Sequence, residues 1–173
     1  MAKQISKFIT KGTLVFTTSA AGTGKSVMCR PYGVSECPVT HNVAVADGSS
    51  LHDGGEGKPR VVVMDADFKE LFVYDGEVPH TYQPTSQSGS KRFTPWGVVY
   101  DSVGNLVMGD CNNNSVLLIS GHGEFLRVIH TDNNMPRAVG VDREDVLWTV
   151  FEANNVKLIQ YISALDKQQC IIL

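Results

Sequence analysis

Three stretches of this chain repeat one pattern, and the repeat limits the possible folds more than any other sequence feature. RPYGVSECPVTHNVAVAD from Arg30, TPWGVVYDSVGNLVMGD from Thr94 and MPRAVGVDREDVLWTVF from Met135 each pass from a proline through a short apolar strand, a polar turn and a second apolar strand. The second strands end at Asp47, Asp110 and Phe151, and the prolines at 31, 95 and 136 lie 64 and 41 residues apart. The longer interval holds two insertions, a Gly-rich one from Gly48 to Lys58 and a Ser/Thr/Gln-rich one from Val78 to Lys91. Repeats of roughly 40 to 50 residues with four strands each are the signature of propeller blades.

The middle unit shows the blade most clearly. Apolar runs at Gly97–Tyr100, Leu106–Gly109, Val116–Ile119 and Phe125–Ile129 are separated by the turns DSVGN, DCNNNS and SGHGE. Gly, Asn, Asp and Ser tolerate positive φ or fold their side chains onto the backbone, as tight antiparallel turns require. The same template fits the first unit, with Asn42–Val45, Arg60–Val63 and Glu70–Tyr74 as its second to fourth strands. Ile5–Phe8 and Thr13–Phe16 read as the last two strands of a preceding blade, and the final unit ends in VKLIQYI as its third strand. The expected fold is therefore all-β, a partial β-propeller of four-stranded antiparallel blades. Residues 1–29 end one blade, 30–93 form a blade with insertions, 94–134 a second, 135–162 an incomplete last blade and 163–173 a tail. The 16 glycines and 7 prolines suit strands and turns and argue against a helical bundle.

The proline-led strand, the pattern G-N-L-x-x-x-D-x-x-N-N-x-V from Gly104 to Val116, and the ending LWTVFEANNVKLIQYI resemble NHL repeats. In particular they resemble the C-terminal propeller of tripartite-motif proteins, over residues 5 to 162. The resemblance is stronger in the second and third units than in the first, where the insertions sit. It implies a six-bladed ring, of which this chain is the C-terminal part, and a role in recognising protein substrates or RNA for a ubiquitin ligase. In such ligases a zinc-bearing RING recruits the conjugating enzyme. This sequence contains no RING, B-box or coiled coil, so ligase activity is not expected of this chain by itself. Phe151 stands where the other two units have aspartate, so a polar brace expected in two blades is expected to be missing from the third.

Charge and cysteine usage narrow the function classes. With a net charge of -3 the chain lacks the overall basic footprint of a dedicated nucleic-acid binder, and double-stranded DNA is not an expected partner. No apolar run reaches the ~18 residues of a membrane span, and the N-terminal MAKQISKFITKG reads as mature sequence, which makes the cytoplasm the default location. Cys29, Cys37, Cys111 and Cys170 are scattered without a C-x-x-C pair, as expected of unpaired thiols in a reducing compartment and not of a zinc site. SAAGTGKS at Ser19–Ser26 resembles a P-loop, but it has serine where the first glycine belongs, and Pro31 and Gly33 arrive where the phosphate-binding helix should run. The Asp47, Asp53 and Glu56 set matches no calcium loop, the five histidines have no metal spacing, and no nucleophile elbow is present. Neither a cofactor, a metal nor a catalytic residue is expected. The terminal Cys170-Ile171-Ile172-Leu173 fits the C-a-a-X prenylation pattern, which would give weak membrane contact; an apolar tail completing a strand is the simpler reading.

Binding is expected on one face. In a propeller the first strand of each blade lines the channel, and the connections entering those strands gather at one mouth. This grouping brings together Arg30, Tyr32, Arg92, Trp96 and Arg137, an aromatic and cationic set suited to a protein hot spot or to single-stranded RNA. Packing between blades would account for Tyr32 and Trp96 equally well. The opposite face carries Asp65, Asp67, Glu70, Asp101, Glu124, Asp142, Glu144 and Asp145 against Lys69 and Arg143, and should repel polyanions. The leading expectation is a noncatalytic interaction module. The rival is a propeller hydrolase of lactonase type with a channel metal, which inward Glu, Asn and Asp would favour. At roughly 42 residues per blade the chain holds about three blades, short of a closed ring, so its open edges invite a second copy unless it belongs to a larger propeller.

Overall fold

A computed structural model describes residues 5–8, 11–17, 28–48, 58–79, 91–152 and 155–161. These residues form thirteen strands in four antiparallel sheets and contain no helix. The first sheet pairs β1 (Ser6–Phe8) with β2 (Leu14–Thr17). The second is a meander of β3 (Pro31–Glu36), β4 (Val43–Asp47), β5 (Arg60–Met64) and β6 (Glu70–Tyr74). The third repeats it with β7 (Pro95–Tyr100), β8 (Leu106–Asp110), β9 (Ser115–Ile119) and β10 (Phe125–Thr131). The last sheet has β11 (Pro136–Val141), β12 (Val146–Phe151) and β13 (Asn155–Gln160). The chain is an arc of β-propeller.

The sheets converge at their first strands, where β7 lies against β3 on one side and β11 on the other, and they fan apart toward β6 and β10. Each first strand is an edge strand, so its leading proline forfeits no ladder hydrogen bond. Period-two alternation gives each sheet two apolar faces. Ala44, Ala46, Val61 and Val63 pack forward against Leu106, Met108, Leu117 and Ile119. Val107, Val116 and Leu118 pack forward against Leu147 and Phe151. Val45, Val62 and Met64 face back, toward Ile5 and Met28. A buried Val or Leu contributes roughly 1.5–3 kcal/mol, so these interfaces carry most of the arc's stability.

Two features recur at opposite ends of the blades. At the channel end, Pro31 pairs with Asp47, Pro95 with Asp110 and Pro136 with Phe151. The Asp47 carboxylate accepts hydrogen bonds from the N–H groups of Cys29 and Arg30, at 2.9 and 2.6 Å, and the Asp110 carboxylate accepts from Thr94 N–H at 3.0 Å. Phe151 cannot accept such bonds, so this brace is confined to the first two blades, in agreement with the sequence. At the other end, one side-chain oxygen closes each of four hairpins, while the β3–β4 turn is closed by the backbone of Cys37. Asp65, Asp101, Ser120 and Asp142 each accept from the backbone N–H groups two and four residues on. The residue three positions on, Phe68, Gly104, Gly123 or Asp145, takes positive φ.

Replacing Asp47 with alanine leaves two buried-end N–H groups without their carboxylate and is expected to lower stability by about 2–3 kcal/mol in urea denaturation. Alkaline pH should also destabilise the fold. Burial pushes the Cys111 thiol from 9.0 up to about 12, and raises the phenols of Tyr74, Tyr100 and Tyr161 above their ordinary 10.0. The folded chain therefore keeps protons that the unfolded chain releases, so stability falls as pH rises past the unfolded values. Urea midpoints should drop between about pH 8 and about pH 10.5, with a shallower drop for Tyr74→Phe.

Candidate functional site: an aromatic and cationic stack at the channel mouth

Each converging strand has a register irregularity just after its proline, between Pro31 and Gly33, Pro95 and Val98, and Pro136 and Ala138. The residue immediately after each proline is Tyr32, Trp96 or Arg137. A bulge at a strand's start re-aims the side chain it contains, and these three side chains meet. Tyr32 and Trp96 stack with ring centroids 5.1 Å apart and planes 23° from parallel. The Arg137 guanidinium lies 4.1 Å from the centre of the Trp96 ring, and the Arg30 guanidinium 5.0 Å from that of Tyr32. The result is a four-member stack across three blades, in the order Arg30, Tyr32, Trp96, Arg137.

The residue after each brace position tunes its own rung. In all three blades its N–H bonds the carbonyl just before the proline: Gly48 to Arg30, Cys111 to Thr94, Glu152 to Met135. The lack of a side chain at Gly48 makes room for Tyr32, since a Cβ there would sit 2.3 Å from the ring. The Cys111 thiol donates to the Pro136 carbonyl, which ties the second blade to the start of the third. Glu152 pairs with the Arg137 guanidinium and fixes its orientation over Trp96. Sequence reasoning missed Glu152 and Gly48; their shared position one residue past Asp47, Asp110 and Phe151 was the available signal. Around Phe151, Lys157 pairs with Asp132, His130 approaches the same carboxylate at 3.5 Å, and the His130 ring meets Phe151 edge-on. The Lys157 hydrogen bond, with the Asn134 N–H, holds the Asp132 carboxyl well below the usual range.

Of the five residues expected at the mouth, four join the stack. The fifth, Arg92, lines a groove with Lys58, Pro59, Asp75, Glu77 and Phe93. It belongs to the linker between β6 and β7, which does not follow the repeat, and its backbone carbonyl accepts from Asn112. The acidic opposite face is present, but much of its charge closes turns, as at Asp65, Asp101 and Asp142. Asp145 instead accepts from Ser102 of the neighbouring blade. Burial raises the Asp101 carboxyl against the bonds it accepts from Asn105. Among the histidines, His41 is exposed and paired with Glu36, His122 is exposed, and His130 is half-buried; His52 and His80 lie outside the described residues. The P-loop-like Ser19–Ser26, Asp53, Glu56 and the prenylation candidate Cys170 also lie outside them. Among the described residues, no three His, Cys, Asp or Glu side chains group as a metal site, and no helix is long and apolar enough to cross a membrane.

No protein-family model matches the sequence, and no curated protein matches it. Among solved structures the arc is similar to a streptogramin B lyase, with a TM-score of 0.53 at 15% identity over 94% of this chain. The likeness is one of propeller fold, and the chain spans 49% of that structure's length.

Gly48→Ala tests the geometry of the stack. The added methyl must displace the Tyr32 ring, so the variant should lose about 1–3 kcal/mol. In a Trp148→Phe background it should also change Trp96 emission, which unaltered Trp96 fluorescence would contradict.

Proposed function

We propose that this chain is a noncatalytic interaction module that holds a carboxylate-bearing protein segment against the stack at its channel mouth. The observation that carries the reading is the stack itself. Tyr32, Trp96 and Arg137 come from equivalent positions of three blades, turned to one place by three bulges. Aromatic and arginine side chains held rigidly at a rim are the composition of interface hot spots. A guanidinium over a ring face keeps its N–H edges for a carboxylate, as Arg137 already does with Glu152, and Arg30 over Tyr32 is placed to do the same for a ligand.

The stack favours protein over RNA. A base inserted between Tyr32 and Trp96 needs about 6.8 Å, twice the ~3.4 Å stacking rise, and the rings are 5.1 Å apart. Trp96 has a ring on one side and a guanidinium on the other, which leaves edges and cations as its recognition elements. The rival hydrolase reading calls for inward Glu, Asn or Asp near a metal, whereas the rung positions are tyrosine, tryptophan and arginine. The lyase named among the structural neighbours supports the fold only, at 15% identity. The resemblance to tripartite-motif propellers fits a substrate-recognition role of this kind, in the cytoplasm and as part of a larger ligase.

A fluorescent Glu/Asp-rich peptide and an oligouridine of equal charge separate the readings by anisotropy. The peptide should bind the native chain, weaken with added salt, and lose at least ~10-fold in affinity to Arg30→Ala/Trp96→Leu, while Arg92→Ala changes it little. Equal peptide binding by the native and stack-deficient chains would sink the site; tighter oligouridine binding that depends on the stack would move the assignment to RNA.

A further inference from the structure

The last sheet is apolar on both faces, and one of them has no cover among the described residues. Leu147, Phe151 and Ile159 look back into the core shared with β7–β10. On the other face, Trp148 pairs across the strands with Leu158, and Val150 with Val156. These four are 38–59% exposed. The pairing of Pro31, Pro95 and Pro136 with Asp47, Asp110 and Phe151 aligns the blades and shows what these positions do elsewhere. Their equivalents in the second sheet, Ala44, Ala46, Val61 and Val63, are fully buried beneath the third sheet. Their equivalents in the third, Val107, Gly109, Val116 and Leu118, are buried beneath the last. The exposed face thus continues an interface already made twice within the chain.

The other end of the arc offers its counterpart. Ile5 packs into the core with Val45, Val62 and Met64, whereas Phe8 and Leu14, a cross-strand pair of β1 and β2, stand 59% and 53% exposed. An arc with one forward-facing and one backward-facing apolar end joins head to tail. This chain spans 49% of a solved propeller, so two arcs of this length match one such ring. A two-fold axis provides this with two identical junctions, and such a ring is closed to further growth.

We propose that the Trp148–Val150–Val156–Leu158 face is occupied by the Phe8–Leu14 sheet of a second copy of this chain, and reciprocally, so that two arcs complete one propeller. The charged double variants Val156→Lys/Leu158→Glu and Phe8→Glu/Leu14→Lys each spoil one end at residues already exposed, and far-UV circular dichroism checks that each remains folded. In sedimentation equilibrium at micromolar concentration the native chain should have twice its 18.9 kDa mass. Each double variant alone should fall to the mass of one chain, and an equimolar mixture of the two should recover a heterodimer through its single intact junction. A monomeric native chain overturns the proposal and leaves the face to a partner of another kind. A Phe8→Glu/Leu14→Lys chain that still dimerises also overturns it, because the Trp148 face would then meet its own copy. A native chain that grows into open polymers excludes the closed two-fold ring. Acidic-peptide binding at the stack, measured on the same variants, reads the proposed function separately.

Discussion

At Gly33 a methyl group would sit 3.1 Å from the Trp96 carbonyl, and at Gly97 another would sit 3.1 Å from the Val139 backbone. The arc depends on this close approach of β3, β7 and β11, because sheets that fan from an axis must crowd at their inner edge. Crowding demands glycine at Gly33 and Gly97, small residues such as Ala44, Ala46 and Gly109 on the forward faces, and prolines that tolerate an edge. It also makes the bulges useful. A side chain following the regular pleat at Tyr32, Trp96 or Arg137 would project into the neighbouring sheet, and the bulge turns it to the rim. The packing constraint and the candidate site therefore share one cause.

Charge is distributed by the same economy. The hairpin ends away from the mouth need acceptors for the N–H groups two and four residues on, and aspartate supplies them at Asp65, Asp101 and Asp142, with Ser120 doing the same work uncharged. The acidity of that face is largely a consequence of turn closure. It nevertheless disfavours anionic partners there and leaves the mouth, with Arg30 and Arg137, as the side that attracts them.

Strand order and the Asp47 and Asp110 braces were legible because each rests on local pattern: proline, alternation, and a carboxylate at a fixed place. The convergence of Arg30, Tyr32, Trp96 and Arg137 was legible as a grouping but not as a stack, since register slips leave no mark in composition. Arg92 stands in the linker before β7, outside the repeat, so counting from Pro95 assigns it no rung. The last sheet illustrates a different limit. Alternation identified β12 and β13 as strands, yet LWTVF and VKLI are apolar on both faces, and sequence alone does not tell which face is already covered.

The third blade departs most from the pattern, and its departures are coupled. With Phe151 in place of aspartate, the segment before Pro136 loses its brace, and the neighbouring position becomes glutamate. Glu152 then holds Arg137, the rung that replaces an aromatic ring, so the stack ends in a fixed cation where it would otherwise end in another ring. Phe151 is held by contacts from two sheets, with His130 of β10 edge-on and Lys157 of β13 at 5.2 Å, both drawn to Asp132. These contacts brace the last sheet through side chains on its outer strand, which frees the other face of β12 and β13 to carry bulky residues. Trp148 and Val150 replace the small Ala44/Ala46 and Val107/Gly109 of the interior blades, a substitution that suits a sheet packed at greater distance than an inner strand of the same chain. The blade that terminates the stack in a cation is therefore also the one that carries bulkier side chains at the positions by which the two interior blades pack forward.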